Sequence, residues 1–326
     1  MRLCVDAGGT HVRFGLVDES HHVLLKRKYP VGEFPGGNQG FIAATNQFLE
    51  ERICRDNSSS IDHFVACVAG PVNNGVVQFR NTDWWISVED MESNFSGTMH
   101  ESMRAYLIND YEALAYGIAT LEDDGYDTIF ARNGTGDTSI VCGTGTGLGL
   151  SALKVHNGKL IVIPSEGGHQ SFPVETAIER KIREFIMEDW VSYEHILSGQ
   201  GLQLLFSFFC QESNAQYVNE QTPSQIIALS QSGNVAAKKA LEEFSYALGG
   251  FCGNMVLALG ATKGVYLWGG VLSSFPIEYL KNHTTRRFQQ RGRAAGYVSN
   301  VPIYRITNDE LALQGCSIFA SEQTTT

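Results

Sequence analysis

The stretch Leu3-Cys4-Val5-Asp6-Ala7-Gly8-Gly9-Thr10-His11-Val12-Arg13-Phe14-Gly15-Leu16-Val17-Asp18 sets the reading of the whole chain. Leu3–Ala7 and Val12–Asp18 have the short apolar runs of strands, and Gly8-Gly9-Thr10 turns one into the other. Asp18–His21 then leads into a third strand, His22–Tyr29. The same pattern returns later: Thr138–Cys142 is a strand, Gly143-Thr144-Gly145-Thr146-Gly147 a loop, and Leu148–Val155 a strand. Asn157-Gly158, a strong hairpin signal, follows and leads into Leu160–Pro164. Two copies of one unit, about half the chain apart, predict an α/β fold of two similar lobes facing each other across a central cleft, each lobe supplying one glycine loop.

Composition agrees with a globular chain. The 326 residues include 34 Gly, and 43% are hydrophobic. Average usage of ~7% would give roughly 23 glycines. The surplus follows no three-residue period, which excludes collagen, and the apolar content excludes a disordered linker. The seven cysteines are odd in number and widely spaced, with no CxxC, as expected for reduced buried thiols in a cytoplasmic protein. No signal-peptide hydrophobic region fits the stretch from Met1 to Asp6. A net charge of −11 without a long Lys/Arg run disfavours nucleic acid as the main partner. Phe244–Thr262 runs nineteen residues without a charge, yet its four glycines, Ser245 and Asn254 suit a buried, closely packed helix better than a membrane span.

Further elements are legible from periodicity. Phe41, Ile42, Ala44, Phe48, Leu49 and Ile53 mark a helix face, Asp62–Ala69 and Val76–Phe79 read as strands, and Ser87 reads as an N-cap. Ala105–Ile108 is a strand ending on Asn109-Asp110, with helical composition over Tyr111–Ala119. Helices are expected over Thr176–Met187, Gly201–Cys210, Asn234–Leu259 and Leu311–Ser321, and a short strand over Val265–Trp268 before Gly269-Gly270.

A phosphate needs converging N–H donors, and residues without Cβ let the backbone approach it closely. Gly8-Gly9-Thr10 and Gly143–Gly147 offer such backbone, with hydroxyls from Thr10, Thr144 and Thr146. Either loop taken alone would also serve as a tight β-turn. No G-x-x-x-x-G-K-[ST] occurs, and Gly143–Gly149 breaks G-x-G-x-x-G and runs into a strand, so neither a P-loop nor a Rossmann site is present. Asp6 stands where it would hold Mg²⁺ directly or through water, or cap the turn.

Three polar clusters add Asn, Asp, Glu and His: Asn109-Asp110, Glu166-Gly167-Gly168-His169, and Glu194 within Val191–Gly199. With Asp6-Ala7-Gly8-Gly9-Thr10, Ala69-Gly70-Pro71-Val72, Asn81-x-x-Trp84, Gly143-x-Gly145-Thr146-Gly147-Leu148-Gly149, Glu194-x-x-Leu197-Ser198-Gly199 and Gly269-Gly270-Val271, they make the chain resemble the bacterial-type glucokinases along essentially its whole length. These are sugar kinases of the actin-like (ribonuclease H-like) fold. The resemblance implies a cytoplasmic, homodimeric, ATP- and Mg²⁺-dependent glucokinase with no nucleic-acid or membrane partner. A small domain would span 1–108 plus about 307–326, and a large one 109–306.

The resemblance also implies roles. Asp110 would be the catalytic base on the sugar 6-hydroxyl. Asn109, Asp110, Glu166, His169 and Glu194 would bind glucose, with Asn81 beside them. Asp6, Gly8, Gly9, Thr10, Gly143, Thr144, Gly145, Thr146, Gly147, Gly269 and Gly270 would hold ATP, with Asp6 on the metal side. These residue types suit the chemistry: carboxylates and amides satisfy neighbouring ring hydroxyls, and phosphoryl transfer asks mainly for positioning and charge neutralisation. Asn109-Asp110 would equally cap the following helix, Glu166 and Glu194 would equally be solvated carboxylates, and Gly269-Gly270 a packing contact. Gln170–Lys181 lacks the cysteines of the zinc motif in the related repressor/open-reading-frame/kinase family. Departures from the usual pattern are His11, Arg80 and the doubled Trp84-Trp85. A kinase for mannose, fructose or an amino sugar, and a non-catalytic sugar sensor, are the alternative functions.

Overall fold

The computed structural model describes residues 1–53, 60–79, 82–95, 99, 102–213 and 221–324. Its strands are β1 (Arg2–Ala7), β2 (His11–Val17), β3 (Val23–Pro30), β4 (His63–Val68), β5 (Val76–Gln78), β6 (Trp85–Ser87), β7 (Arg104–Asn109), β8 (Tyr126–Phe130), β9 (Thr138–Thr144), β10 (Leu148–His156), β11 (Lys159–Ser165), β12 (Gly264–Leu267) and β13 (Ile303–Ile306). The helices are α1 (Asn38–Ile53), α2 (Val88–Phe95), α3 (Asp110–Gly117), α4 (Ala177–Ile186), α5 (Gly199–Glu212), α6 (Pro223–Gln231), α7 (Val235–Leu259), α8 (Gly270–Ser274), α9 (Ile277–Tyr279), α10 (Thr285–Gln289), α11 (Ala295–Val298) and α12 (Leu311–Thr324). They form two compact units, Met1–Leu121 with Asn308–Thr326, and Glu122–Thr307.

The first unit carries the sheet β3-β2-β1-β4-β7. β1, β2 and β3 are antiparallel neighbours, while β1, β4 and β7 run parallel, so Asp6 lies level with Cys67 and Cys67 with Ile108. One core gathers Phe14, Phe41, Phe48 and Phe64, with Phe14 stacked 5.3 Å from Phe48 and Phe41 stacked 6.1 Å from Phe64. The doubled tryptophan is resolved by burial. Trp84 is fully buried and donates its indole N–H to Phe34 O at 2.7 Å, whereas Trp85 is exposed. The unit extends through α3 to Leu121, past the boundary at Ile108 expected from sequence, because α3 packs against α12. A Cβ at Gly315 would overlap Ala113 O and one at Gly117 would stand 2.6 Å from Leu311 O, so the two helices meet backbone to backbone.

The second unit repeats the design. Its sheet is β11-β10-β9-β12-β13-β8, with β9, β10 and β11 antiparallel and β9, β12 and β13 parallel. The duplicated strand-loop-strand-strand pattern read from sequence is therefore present in both sheets. The uncharged stretch is α7 with its C-terminal loop, a core helix as expected. A Cβ at Gly249 would overlap Thr284 O and one at Gly253 would overlap the Arg291 guanidinium, so glycine is what admits these neighbours. Gly260, at φ 66°, ends the helix in the left-handed conformation. Among the described residues no helix is long and apolar enough to cross a membrane.

Candidate active site

In the first unit, three predicted elements collect at the C-terminal edge of the parallel strands, the edge where open α/β sheets bind ligands. β1 delivers Asp6 just ahead of the Gly8-Gly9-Thr10 turn, β4 leads to Gly70, and β7 ends on Asn109 ahead of Asp110. Gly8 donates its N–H to His11 O at 3.0 Å and so closes the hairpin, while Thr10 O accepts from Val31 N at 2.9 Å. The turn reading and the loop reading thus describe the same backbone.

Asp6 is ion-paired to Arg13, Nη1 to Oδ2 at 2.9 Å, across the β1–β2 pairing that sets these residues opposite one another. Burial pushes the Asp6 carboxyl up from the ordinary carboxylate range, and Arg13 and then Lys28 pull it back down. Sequence reasoning missed Arg13. Counting outward from the Gly8-Gly9-Thr10 turn places it opposite Asp6, so the register was the available signal.

Asn109 caps α3: its Oδ1 accepts from Tyr111 N at 2.9 Å, and its Nδ2 donates to Gly70 O at 3.2 Å. One lone pair and one N–H of this amide remain beyond those bonds. Asp110 opens the helix, and its Oδ1 accepts from Tyr111 N at 3.0 Å. Burial raises the neighbouring Glu112 carboxyl, opposed by the N–H of Asn109. Asn81 lies outside the described residues.

In the second unit the structure brings Glu166, His169 and Glu194 together. His169 Nε2 lies 3.7 Å from Glu166 Oε2, and its Nδ1 lies 3.8 Å from Glu194 Oε1. Glu166 and His169 sit in and beside the single 3₁₀ turn Gly167–His169, whose glycines are buried against β10. Glu194 belongs to the turn Tyr193–His195 and directs its Oε2 to Leu148 N at 2.9 Å. This side-chain tie to the glycine loop was not legible in the sequence.

The loop Gly143–Gly147 leaves β9 beside Gly269 and Gly270, which follow β12, because Trp268 N donates to Cys142 O at 2.9 Å. Cβ atoms at Gly143 and Gly269 would overlap the Trp268 and Thr144 carbonyls, and Gly269 has φ 131°. These two glycines let the strand ends close together. Gly145 and Gly270 differ: a Cβ on either would meet nothing within 4 Å, so the backbone there is open to a ligand. Thr144 is fully buried and its Oγ1 has no hydrogen-bond partner. The open glycine backbone at Gly145 and Gly270 fits a phosphate-bearing ligand. Among the described residues no group of three or more His, Cys, Asp or Glu side chains is arranged to hold a metal ion. Asp6 as a lone carboxylate fits Mg²⁺, which takes few protein ligands and completes its shell with phosphates and water.

The match to known proteins follows the same residues. Residues 3–323 match the Glucokinase family. The chain is 30% identical over 323 residues to the glucokinase of Chromobacterium violaceum, covering 96% of this chain and 87% of that one. It is 28% identical over 326 residues to the bifunctional protein glk of Burkholderia thailandensis, covering 99% of this chain and 49% of that protein. It thus spans about half the length of several curated relatives that it matches. The crystal structure of a glucokinase from an Antarctic psychrotroph is similar with a TM-score of 0.82 at 27% identity, covering 97% of both chains. The α/β fold is that of the actin-like sugar kinases, as expected, and the chain belongs to the glucokinase family.

Proposed function

We propose that this protein is an ATP-dependent glucokinase that transfers the γ-phosphoryl group of ATP to the 6-hydroxyl of glucose, giving glucose 6-phosphate and ADP. The observation that carries the reading is the convergence of Glu166, His169 and Glu194 beside the glycine loop Gly143–Gly147. A hexose kinase needs such a set of ring-hydroxyl partners next to a phosphate grip, and the non-catalytic sensor alternative needs only the former. Asn109 joins the hexose contacts in this reading, and Asp110 accepts the 6-hydroxyl proton as the bond to phosphorus forms.

Gly8, Gly9, Thr10, Gly143, Thr144, Gly145, Thr146, Gly147, Gly269 and Gly270 bind the nucleotide. Mg²⁺, held by Asp6 directly or through water together with the nucleotide phosphates, supplies neutralisation of the charge on the transferring group. The open backbone at Gly145 and Gly270 supports the phosphate assignment. Family resemblance supports a cytoplasmic homodimer, which sedimentation of the purified protein and fractionation of cells test.

The deciding experiment offers the purified chain glucose, mannose, fructose and glucosamine with ATP, ADP or polyphosphate, and detects hexose 6-phosphate by a coupled assay. Glucose with ATP and Mg²⁺ is expected to give the highest kcat/KM. Turnover confined to another hexose would reassign the substrate, and hexose binding without turnover under any donor would favour a sensor.

A further inference from the structure

Three motifs far apart in sequence share one carboxylate. Glu194 Oε2 accepts the N–H of Leu148, the residue that follows the glycine loop, at 2.9 Å, while Oε1 faces His169 Nδ1 at 3.8 Å. The approach depends on Gly147, where a Cβ would overlap Glu194 Oε2. Two further ties hold the same loop. Gly199, the first residue of α5, donates its N–H to Gly145 O at 2.9 Å, and Gly168 packs so closely on Leu148 that a Cβ there would overlap the Leu148 carbonyl.

The turn that carries Glu194 is anchored independently of the loop. Tyr193 is buried, its ring 5.0 Å from Phe251 and 5.7 Å from Phe172, and its hydroxyl accepts from Asn254 Nδ2 at 2.7 Å. The turn that carries Glu194 thus has supports of its own, apart from its bond to the loop.

We propose that Glu194 is a positioning residue for the nucleotide loop as well as a hexose contact, one oxygen serving each, so that the two ligands are coupled inside the second unit through the Glu194–Leu148 hydrogen bond. This rests on the functional reading above, with Gly143–Gly147 as phosphate grip and Glu194 at the hexose. An ionised carboxylate accepts on both oxygens at once. A hexose hydroxyl on Oε1 fixes the carboxylate's rotation, and the loop bound to Oε2 is then ordered before the nucleotide arrives. Each ligand thereby tightens the other by the same factor, within the ~5–150-fold range of such couplings.

Calorimetry on the full chain tests this with glucose and with AMP-PNP plus Mg²⁺, each titrated alone and in the presence of the other. Gly147→Ala puts a methyl group where Glu194 Oε2 lies, and is expected to weaken glucose binding roughly tenfold even without nucleotide. Gly145→Ala is the control: its Cβ meets nothing, and it changes nucleotide affinity while leaving glucose affinity as in the wild type. Glucose affinity unchanged in Gly147→Ala, with only nucleotide affinity lost, would overturn the proposal. Should that variant fail to fold by circular dichroism, Glu194→Ala decides through AMP-PNP affinity measured without sugar. It falls about tenfold if Glu194 holds the loop, and an unchanged affinity reduces Glu194 to a sugar contact. Wild-type protein that binds neither ligand overturns the functional reading and this inference with it.

Discussion

The two sheets share a plan and differ in what they put at its working edge. In strand order, β3-β2-β1-β4-β7 corresponds to β11-β10-β9-β12-β13, and each series has a glycine loop after its first parallel strand. Asp6, the penultimate residue of β1, has Gly143 as its counterpart in β9. β7 and β13 lead to Ile108-Asn109-Asp110 and Ile306-Thr307-Asn308-Asp309, where Asn109 caps α3 and Asn308 Oδ1 accepts from Glu310 N at 2.9 Å ahead of α12. Asp309, however, is spent on Lys26 at 3.0 Å. The Asn-Asp pair is thus a helix-starting device in both copies. The first series concentrates carboxylates at its edge, while the second offers glycine backbone and hydroxyls.

The strongest way to break this correspondence is Asp110→Asn. As a general base, Asp110 is expected to account for about 10²–10⁴ in kcat, with glucose affinity by calorimetry largely kept. Near-wild-type turnover would show that the Asn-Asp pair is a cap in both copies. Next comes the contrast of glycines in thermal melts. Gly143→Ala places a methyl group on the Trp268 carbonyl and is expected to cost about 3 kcal/mol or more, whereas a Cβ at Gly8 approaches His11 O only to 3.3 Å and costs under about 1 kcal/mol. Equal losses in the two variants would mean that the loops are packed alike.

The helices covering the sheets also differ in charge. α12 packs on β1 and β4 mainly through apolar and thiol side chains, with buried Ser317 accepting from Arg2 Nη1 at 2.8 Å, whereas α7 buries Glu243, whose Oε1 has no hydrogen-bond partner. Burial, reinforced by Glu179 and opposed by Arg287, pushes the Glu243 carboxyl up to about 7. A carboxyl raised on folding contributes stability that is full below its unfolded value, about 4.5, and lost as the pH climbs through 7. Glu243→Gln should therefore melt higher than wild type at pH 8.5, by up to about 3 kcal/mol, with the gain gone at pH 4.5. A gain that does not change with pH would place the effect in packing. The smallest change expected is from Asp309→Asn, which removes an exposed ion pair worth about 0–1 kcal/mol and should leave kcat as in the wild type. A large loss of kcat there would give the second Asn-Asp pair a role in the site.

Much of this was legible because the signals are local. Gly8-Gly9-Thr10 and Asn157-Gly158 announce hairpins, Thr176 and Asn234 announce helix starts and are observed N-caps, and the glycines of α7 announce close packing. β5 was read as Val76–Phe79, whereas its partner β6, and β8 and β13, went unread. They are three to five residues long, too short for periodicity to register; β8 takes its strand identity from β13 at the far end of the second unit, β13 also from β12, and β6 from β5. In the site, residue types followed from the motifs, but the bonds of Glu194 to Leu148 and of Arg13 to Asp6 depend on three-dimensional register.

The place of α12 carries a consequence for how the chain acquires its shape. Leu313 fills the space over Gly15, Phe319 lies edge-on to Tyr106 and Tyr116, and buried Cys316 sits against β1 and β4, so the N-terminal core is finished by residues that follow the entire second unit. On a ribosome, Glu122–Thr307 can collapse as soon as it emerges, while the earlier-made sheet must wait with an apolar face open. Closing the first unit's core thus requires a contact between residues far apart in the chain, the kind that costs the most loop-closure entropy during folding.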